Sequence, residues 1–214
     1  MTFSAPPASV RTEVSLPLRF ADGYSTTARV LTFHGLADGR EHVALGLGTP
    51  VPTPLIRLHS ECLTGEVFGS QRCDCGPQLR EAVERIAAAG GYLLYLRQEG
   101  RGIGLYDKID AYALQDGGLD TYQANRALGH AEDERDYTVA GQMLQALGVT
   151  SLRLLTNNPD KTQQLTALGL GVTERVPTGV HVSAANLGYL LAKARHGAHT
   201  LAGLPELPDL DQPA

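Results

Sequence analysis

The chain has 214 residues, of which 43% are hydrophobic and 19% charged, so it can bury a substantial core in one domain or two small ones. Its net charge of −5 argues against a general nucleic-acid binder, because neutralising a phosphate backbone requires clustered Lys and Arg. The longest apolar stretches fall far short of a membrane span, and no basic region followed by an apolar core opens the chain. We therefore expect no membrane association and a cytoplasmic location.

The N-terminal third is rich in β-strand signals. Residues 1–13 carry a Pro-Pro pair and little periodicity, which predicts a loose terminus. Between Val14 and Arg57, short β-rich runs alternate with turn signals, and Ala28–Phe33 and His42–Leu47 are predicted strands. This pattern predicts a sheet that is made partly of antiparallel strands.

From Gly76 onward, helix and strand signals alternate. Pro77 suits the first position of a helix that ends at Gly90 and Gly91. The elements predicted after it are, in chain order, a strand Tyr92–Leu96, helices Lys108–Gln115, Tyr122–Leu128 and Thr138–Leu147, a strand Ser151–Thr156, a helix Asp160–Leu168, a strand Val172–Val176 and a helix Ala184–Arg195. We expect a single α/β domain over residues 14–200, with a mixed β-sheet, flanking helices, a β-rich N-terminal part and a loose terminus at 202–214.

The three cysteines of the chain, Cys62, Cys73 and Cys75, lie within a 14-residue window. An odd number of cysteines without an export signal leaves metal binding as the leading explanation. Catalytic zinc commonly has three protein ligands and one water, whereas structural zinc has four, so three thiols predict an open site. Two alternatives are that His59 closes the site as a fourth ligand and that the thiols are simply small buried residues. An open zinc lowers the pKa of its bound water to roughly 7, which predicts hydrolysis.

Six motifs follow one another between residues 57 and 161. In chain order they are Arg-Leu-His-Ser-Glu-Cys-Leu-Thr-Gly-Glu from Arg57, Arg-Cys-Asp-Cys-Gly-Pro-Gln-Leu from Arg72, Arg-Gln-Glu-Gly-Arg-Gly-Ile-Gly-Leu from Arg97, Lys-Ile-Asp-Ala-Tyr-Ala-Leu-Gln-Asp from Lys108, Asp-Glu-Arg-Asp-Tyr from Asp133 and Leu-Leu-Thr-Asn-Asn-Pro-Asp-Lys from Leu154. Together they resemble the motifs of the GTP cyclohydrolase II family in the same order, which is more specific than any one of them.

The resemblance implies an enzyme that converts GTP to 2,5-diamino-6-(5-phosphoribosylamino)pyrimidin-4-one with release of formate and diphosphate, the first step of riboflavin biosynthesis. It also implies one Zn²⁺ per subunit, Mg²⁺ bound with the GTP phosphates, and a homodimer. Cys62, Cys73 and Cys75 match the zinc ligands of the family, and the zinc-bound hydroxide would attack C8 of guanine. Tyr112 matches a residue that would orient the water or relay a proton, although an isolated Tyr at helical spacing is more often core packing.

The predicted substrate contacts combine chemistry with family matches. A carboxylate that accepts hydrogen bonds from N1–H and the exocyclic amine distinguishes guanine from adenine, and Glu99, just past a predicted strand, is the candidate. Lys161 falls at the start of a predicted helix, where backbone N–H groups favour phosphate. The other matched contacts are Arg57, Leu58, His59, Ser60, Glu61, Gln78, Gly100 and Arg101 at the nucleotide, and Thr121 and Thr156, together with Lys161, at the triphosphate.

Asp133 and Arg135 lie in a charged run that would, in isolation, be a solvated surface loop. The resemblance implies that the Arg is a nucleophile at the α-phosphorus and that the Asp is its base. A guanidinium is effectively always protonated, whereas its fork-shaped donors suit a phosphate without any activation. Our hypothesis is therefore that Arg135 acts chiefly as a clamp on the transition state, and trapping a guanylyl group on Arg135 would overturn it.

The sequence also departs from the family pattern. The family often has Tyr-Leu-x-Thr-Lys near its C-terminus, whereas residues 189–193 have Ala in place of Thr, and the first 50 residues match only loosely. These departures leave open a specialised paralogue that feeds a pathway other than riboflavin biosynthesis. A first alternative is a related enzyme that opens the ring of GTP but retains the formyl group. A non-catalytic, zinc-stabilised GTP sensor is a second alternative. A zinc deaminase is disfavoured, because the chain has no C-x-x-C pair.

Overall fold

The computed structural model describes residues 7–131, 133–187 and 190, which contain one seven-stranded sheet and its flanking helices. The elements, in chain order, are β1 (Ser9–Arg19), β2 (Ser25–His34), β3 (Val43–Leu47), β4 (Leu55–Ser60), α1 (Leu63–Glu66), α2 (Cys75–Ala89), β5 (Gly91–Leu96), a 3₁₀ turn (Glu99–Gly102), α3 (Leu105–Asp116), α4 (Thr121–Ala127), α5 (Thr138–Ala146), β6 (Ser151–Leu155), α6 (Pro159–Ala167) and β7 (Gly171–Val176).

The sheet has an antiparallel half and a parallel half, with the spatial order β1-β2-β3-β5-β4-β6-β7. β1, β2, β3 and β5 pair antiparallel, whereas β5, β4, β6 and β7 pair parallel. Parallel neighbours need crossover connections, and α2 supplies the one between β4 and β5 while α6 supplies the one between β6 and β7. β5 therefore belongs to both halves and joins the N-terminal hairpins to the parallel strands.

Apolar side chains fill a core on each face of the sheet. Leu94 of β5 packs with Met143 of α5 on one face, whereas Leu93, its neighbour in the chain, packs with Ile86 of α2 on the other. All four are fully buried. This is the period-two alternation of a strand that is covered on both faces, and it fixes where the carboxyl ends of the parallel strands lie.

The predicted α/β fold with a mixed sheet, flanking helices and a β-rich N-terminal part is confirmed. The strands and helices predicted between Tyr92 and Val176 correspond to β5, α3, α4, α5, β6, α6 and β7, with small differences at their ends. α2 begins at Cys75 and not at Pro77, so the helix start coincides with the third cysteine. The sequence did not separate β4, α1 or the 3₁₀ turn from their surroundings.

The prediction of a loose terminus at 1–13 is wrong for residues 9–13, because β1 begins at Ser9. β1 pairs antiparallel with β2 from Ser9 opposite His34 to Arg19 opposite Ser25. Its side chains are exposed along almost the whole strand, so backbone hydrogen bonds rather than a buried apolar face hold it. The predicted terminus 202–214 and most of the predicted helix Ala184–Arg195 lie outside the described residues.

Within the described ranges, none of the helices combines the length and the apolar composition that crossing a bilayer would require.

Candidate active site

The parallel strands end in a cleft. Cys62 follows β4, Glu99 follows β5, and Thr156 follows β6, so three neighbouring strand ends contribute to its lining. Ligand sites of α/β folds gather at the carboxyl ends of parallel strands, so the position of the cleft fits a ligand site.

Most of the predicted site residues line this cleft. They are Arg57, His59, Ser60, Glu61, Cys62, Cys73, Cys75, Gln78, Glu99, Gly100, Arg101, Tyr112, Thr121, Arg135, Thr156 and Lys161. Leu58 does not, because alternation along β4 turns its side chain into the hydrophobic core. Its carbonyl oxygen accepts a hydrogen bond of 2.8 Å from Lys161 Nζ. Asp133 is not part of the lining and is instead hydrogen-bonded to Arg135.

The Sγ atoms of Cys62, Cys73 and Cys75 lie within 4.8 Å of one another, and those of Cys62 and Cys73 are 3.6 Å apart. Thiolates bound tetrahedrally to zinc at about 2.3 Å would be separated by roughly 3.8 Å, so the donor set fits this ion. In the described part of the chain, the ligand group contains these three thiols and neither a histidine nor a carboxylate. The site therefore fits a zinc ion with one coordination position left for a non-protein ligand.

His59 is not a fourth ligand. Its Nε2 is 2.7 Å from Oε1 of Glu66, whose Oε2 accepts a hydrogen bond of 2.6 Å from the Tyr95 hydroxyl. Burial lowers the pKa of His59, although the hydrogen bond to Glu66 opposes this shift. The neutral ring therefore donates to Glu66 through Nε2, and the alternative in which His59 closes the metal site is not supported.

Hydrogen bonds within the thiol cluster favour one thiolate. Hydrogen bonds with Cys73 and Cys75, assisted by the ammonium of Lys108, lower the pKa of Cys62 far below its ordinary value. The same bonds to Cys62 raise the pKa of Cys73 and of Cys75. Metals bind the thiolate form of cysteine, and the Lys108 ammonium, 3.1 Å from Sγ of Cys62, favours that form.

Gly65 of α1 forms the floor of the thiol cluster. A Cβ atom at this position would lie 2.6 Å from Sγ of Cys73 and 3.2 Å from Sγ of Cys62. We expect Gly65→Ala to weaken zinc binding by about tenfold or more, a loss typical of disturbing the surroundings of metal ligands. Zinc competition with a chromophoric chelator measures this effect. Gly171→Ala is the matched control, since its nearest contact would be an ordinary 3.4 Å, and equal zinc affinity of the two variants would refute the prediction.

Lys108 of α3 joins the thiol cluster to Glu99. Its Nζ donates hydrogen bonds to Sγ of Cys62 at 3.1 Å, to Oγ1 of Thr64 at 2.9 Å and to Oε1 of Glu99 at 2.7 Å. Burial would lower the pKa of Lys108, but the Glu99 carboxylate and the Cys62 thiolate raise it overall. The lysine is therefore charged at neutral pH, and its ammonium has three acceptors.

The Glu99 carboxylate is held by three donors. Besides Lys108, the backbone N–H of Gly100 donates to Oε1 at 3.1 Å, and the N–H of Leu63 donates to Oε2 at 2.7 Å. Each carboxylate oxygen can accept two hydrogen bonds, so Oε2 keeps acceptor capacity for a ligand. Glu99 is buried at the wall of the cleft, where an unmatched acceptor would be costly.

A second buried chain of hydrogen bonds runs behind the cysteines. The Arg57 guanidinium donates to Oε1 of Gln78 at 2.7 Å and to the carbonyl of Leu155 at 3.1 Å. The Gln78 amide in turn donates to Oδ2 of Asp74 at 2.7 Å. Asp74 lies between Cys73 and Cys75, so this chain ties the cysteine loop to β4 and to the end of β6.

Tyr112 lies one helical turn after Lys108 on α3 and lines the cleft. Burial raises its pKa, against the hydrogen bond to Thr64 and the charge of Lys108. The Arg72 guanidinium lies 4.9 Å from the centre of its ring. Tyr112 is therefore a neutral phenol at neutral pH, which can both donate and accept a hydrogen bond beside the thiols.

Two cations gather around the ring of Tyr137. The Arg135 guanidinium lies 5.9 Å, and the Lys161 ammonium 5.5 Å, from the ring centre. Gln164 of α6 accepts a hydrogen bond of 3.0 Å from the N–H of Tyr137, which anchors the loop of Arg135 beside the start of α6. Converging positive charges at a helix N-terminus suit a phosphate group.

Asp133 pairs with Arg135 through two hydrogen bonds from the guanidinium. Burial would raise the pKa of Asp133, but the bonded guanidinium lowers it overall. A carboxyl group with a lowered pKa is a weak base. It is therefore poorly suited to removing a proton from Arg135, whereas it is well suited to fixing the orientation of the guanidinium fork.

The loop after β5 has a strained backbone. Gly100 and Arg101 are both left-handed, with φ values of 63° and 62°. A non-glycine residue in this region costs of order 1 kcal/mol or more and persists where the surroundings hold it. Here the carbonyl of Arg101 accepts a hydrogen bond of 3.1 Å from the N–H of Glu134, and its guanidinium lies 4.7 Å from the centre of the Tyr122 ring. The contacts turn Arg101 towards the cleft.

His130 joins α3 to the loop that carries Asp133 and Arg135. Its Nε2 is 2.7 Å from Oδ2 of Asp107, and its Nδ1 is 3.1 Å from Oε1 of Glu134. The hydrogen bonds to Asp107 and then to Glu134 raise the pKa of His130. Only the protonated ring donates through both nitrogens, so the full bridge requires imidazolium.

We expect His130→Gln to lower the midpoint of thermal unfolding more at about pH 6 than at about pH 9. Because the folded-state pKa lies above the ordinary value of about 6.5, the stabilisation is fully present below that pH and is lost as the pH rises through the folded-state pKa. Calorimetry at each pH gives the difference in the midpoint of thermal unfolding between the parent protein and the variant. If this difference is the same at both pH values, the bridge by protonated His130 is contradicted.

Several cleft residues were not predicted from the sequence. They are Arg72, Gln98, Ile103, Lys108, Ala111, Gln115, Asn125, Asn157, Asn158 and Thr178. Most lie inside or beside the six motifs, so their positions in the motifs could have identified them as site residues. Thr178 follows β7 and gave no such signal. It exchanges two backbone hydrogen bonds, of 2.9 and 3.1 Å, with the Asn157 side chain.

Positive charge is concentrated in the cleft although the chain has a net charge of −5. The basic residues of its lining are Arg57, Arg72, Arg101, Lys108, Arg135 and Lys161, against the two carboxylates Glu61 and Glu99. Fold and site together define a class: an α/β enzyme whose cleft combines a candidate metal centre with a cationic surface for a small anionic substrate.

The chain belongs to the GTP cyclohydrolase II family, whose model matches residues 11–177. The GTP cyclohydrolase-2 of Vibrio cholerae serotype O1 is 55% identical over 177 residues, which cover 81% of this chain and 89% of that protein. The GTP cyclohydrolase-2 of Pseudomonas putida W619 is 54% identical over 182 residues, covering 82% and 89%. That of Psychromonas ingrahamii is 48% identical over 195 residues, covering 90% and 96%. The predicted family is confirmed, and the chain is an enzyme that acts on GTP.

Proposed function

We propose that this chain converts GTP to 2,5-diamino-6-(5-phosphoribosylamino)pyrimidin-4-one, releasing formate and diphosphate, with zinc held by Cys62, Cys73 and Cys75. The observation that carries the proposal is the convergence, in one cleft, of three thiols with zinc-compatible spacing, a fixed carboxylate and six cationic side chains. Zinc bound there supplies Lewis-acid activation of water for attack on the purine ring.

Glu99 is the proposed recognition group for guanine. Oε2 of its carboxylate keeps one acceptor position, which would take a hydrogen bond from the exocyclic amine of guanine. Adenine has no amine at C2 and would leave this buried acceptor unmatched. The contact of Lys108 with both Glu99 and Cys62 supports this role, because it places the base-recognition carboxylate next to the thiols that would hold the metal. The base would then be held with its imidazole ring near the site of hydrolysis.

Tyr112 is the proposed proton relay for opening the imidazole ring. The neutral phenol beside Thr64 can accept a hydrogen bond from water while donating one to a ring nitrogen that gains electron density. The ammonium of its neighbour Lys108 lies 5.8 Å from the centre of the Tyr112 ring and places a positive charge on that side of the cleft. The ring opening requires water at C8, and a second hydrolytic step releases the carbon as formate.

Arg135, Lys161 and Thr156 are the proposed contacts of the triphosphate. Arg135 presents a guanidinium already oriented by Asp133, and Lys161 adds a second charge at the start of α6. We assign Arg135 the role of a clamp that stabilises charge developing on the α-phosphate when diphosphate leaves. The lowered pKa of Asp133 supports the clamp over an activated nucleophile.

Further features of this proposal come from the family resemblance. Mg²⁺ would enter with the triphosphate, where carboxylate and phosphate oxygens are its preferred ligands. The catalytic unit would span residues 14–200, assemble as a homodimer and supply the first intermediate of riboflavin biosynthesis. Thr121, Arg101 and Gly100 would contact the nucleotide from the strained loop and from the start of α4.

The proposal is tested by stripping the protein of metal with a chelator, reloading it with zinc, and supplying GTP with Mg²⁺. We expect activity to rise with zinc up to one ion per chain and the product mass to be that of the deformylated pyrimidine monophosphate. A product that keeps the formyl group would place the chain with the ring-opening paralogues. Stoichiometric GTP binding without any product would favour the sensor.

A further inference from the structure

Lys108 is the one cleft residue among those described whose side chain contacts both a cysteine thiol and the candidate base-recognition carboxylate. Its side chain is 11% exposed, and that of Glu99 is 9% exposed. The ammonium makes three contacts, at 2.7 Å, 2.9 Å and 3.1 Å, to a carboxylate, a hydroxyl and a thiol. All three donor protons of a lysine are thereby used inside the protein, so none is left for the substrate.

With a divalent metal bound, the ammonium of Lys108 lies between two negatively charged groups. Metal binding requires all three cysteines as thiolates, so a zinc ion with three thiolates carries a net charge of −1. Glu99 adds a second buried negative charge, and Lys108 supplies the neighbouring positive charge. A buried charge is costly unless it is paired, and the single positive charge of Lys108 offsets one of these two negative charges while its ammonium contacts both groups.

Position on α3 adds a geometric constraint. Cys62 follows β4, Glu99 follows β5, and Lys108 lies on α3, which packs against the 3₁₀ turn that carries Glu99. A lysine with a purely structural role could pair with Glu99 alone. The additional donation to the sulfur of Cys62 makes the position of the thiol depend on the position of the carboxylate.

We propose that Lys108 is a positioning residue that fixes the guanine-recognition carboxylate of Glu99 and the metal ligand Cys62 relative to one another, so that base recognition and metal binding share one ammonium. This inference rests on the proposed function for the role of Glu99. It predicts that removing the ammonium disturbs two properties that are otherwise unrelated, the affinity for zinc and the discrimination between purine bases.

The test compares Lys108→Met, which keeps the length and apolar stem of the side chain, with Asp110→Asn on the exposed face of the same helix. Zinc affinity is measured by competition with a chromophoric chelator in the absence of nucleotide. Base discrimination is measured as the ratio of kcat/KM for GTP to that for inosine triphosphate, which lacks the exocyclic amine. We expect Lys108→Met to weaken zinc binding by about 10- to 100-fold. We also expect it to lower the ratio of kcat/KM for GTP to that for inosine triphosphate by about tenfold or more.

The outcomes separate this inference from the proposed function. Zinc affinity of Lys108→Met within twofold of the parent protein would overturn the inference, and so would an unchanged base preference in a zinc-loaded, active variant. A parent protein that binds zinc but does not act on GTP would instead refute the proposed function, while the zinc comparison still decides whether Lys108 supports the metal site. Asp110→Asn should match the parent protein in both measurements.

A double variant covers the case in which Lys108→Met does not fold. Lys108→Met/Glu99→Gln removes both charges of the buried pair, so neither partner is left in the interior without the other. We expect it to show the loss of zinc affinity predicted for the single variant, because the donor to the Cys62 sulfur is still missing. Zinc affinity equal to that of Glu99→Gln alone would overturn the inference.

Discussion

Cys73→Ser is expected to abolish formate release from GTP. A serine hydroxyl remains protonated at neutral pH and is a poor zinc ligand, so two thiols would be left to hold the ion. Loss of Lewis-acid stabilisation worth several kcal/mol corresponds to a decrease in kcat of about a thousandfold or more. The measurements are formate release and zinc content per chain, and both should fall together.

The matched control for Cys73→Ser is Phe68→Ser, in the same loop. The Phe68 side chain is 72% exposed and does not line the cleft, so zinc content and formate release should stay near the parent values. Circular dichroism establishes that both variants fold. Formate release by Cys73→Ser within tenfold of the parent would show that the thiol cluster is not the catalytic centre.

Arg135→Ala is expected to lower diphosphate release by about a thousandfold or more, the range found when a guanidinium that stabilises phosphoryl transfer is removed. Arg135→Lys should lose less, because it keeps the positive charge near Tyr137 and loses the fork-shaped contact. A clamp therefore predicts a graded series, with the lysine variant between the parent and the alanine variant. Rates of diphosphate release under saturating GTP give this series.

A covalent role for Arg135 predicts a different result. Both variants would then lose all diphosphate release, and rapid quenching of the parent enzyme would trap a guanylyl group on Arg135 detectable by mass spectrometry. Arg126→Ala is a suitable control, because Arg126 is an exposed arginine near the end of α4 and does not line the cleft. Its diphosphate release should equal that of the parent.

The parallel half of the fold was predictable because its signals are local. Ser151–Leu155, Pro159–Ala167 and Gly171–Val176 each show the period of their own element, and short turns separate them. The first residues of β1 were assigned to a loose terminus because a Pro-Pro pair precedes them, although Val10, Val14, Leu16 and Leu18 alternate with polar residues along the strand. The position of β5 between β3 and β4 depends on pairing between distant segments, which no local pattern encodes.

The residues of the candidate site that could be predicted from the sequence are those whose side chains seldom have a purely structural role. Three clustered thiols indicate a metal by their residue type and number alone, and their spacing in the fold fits one. Leu58 was included because it lies within a motif, whereas the alternation of β4 turns its side chain into the core. Lys108 was overlooked because a lysine on a predicted helix is ordinarily solvated, and only the fold brings it against Cys62 and Glu99.

The fate of the C8 carbon of GTP tests the central claim most directly. GTP labelled with carbon-13 at C8 is incubated with the zinc-loaded protein and Mg²⁺, and the label is followed by nuclear magnetic resonance alongside diphosphate. Our account predicts that the label appears as free formate in equal amount to diphosphate. Label that remains in a formamide on the pyrimidine, or in intact GTP, would contradict it.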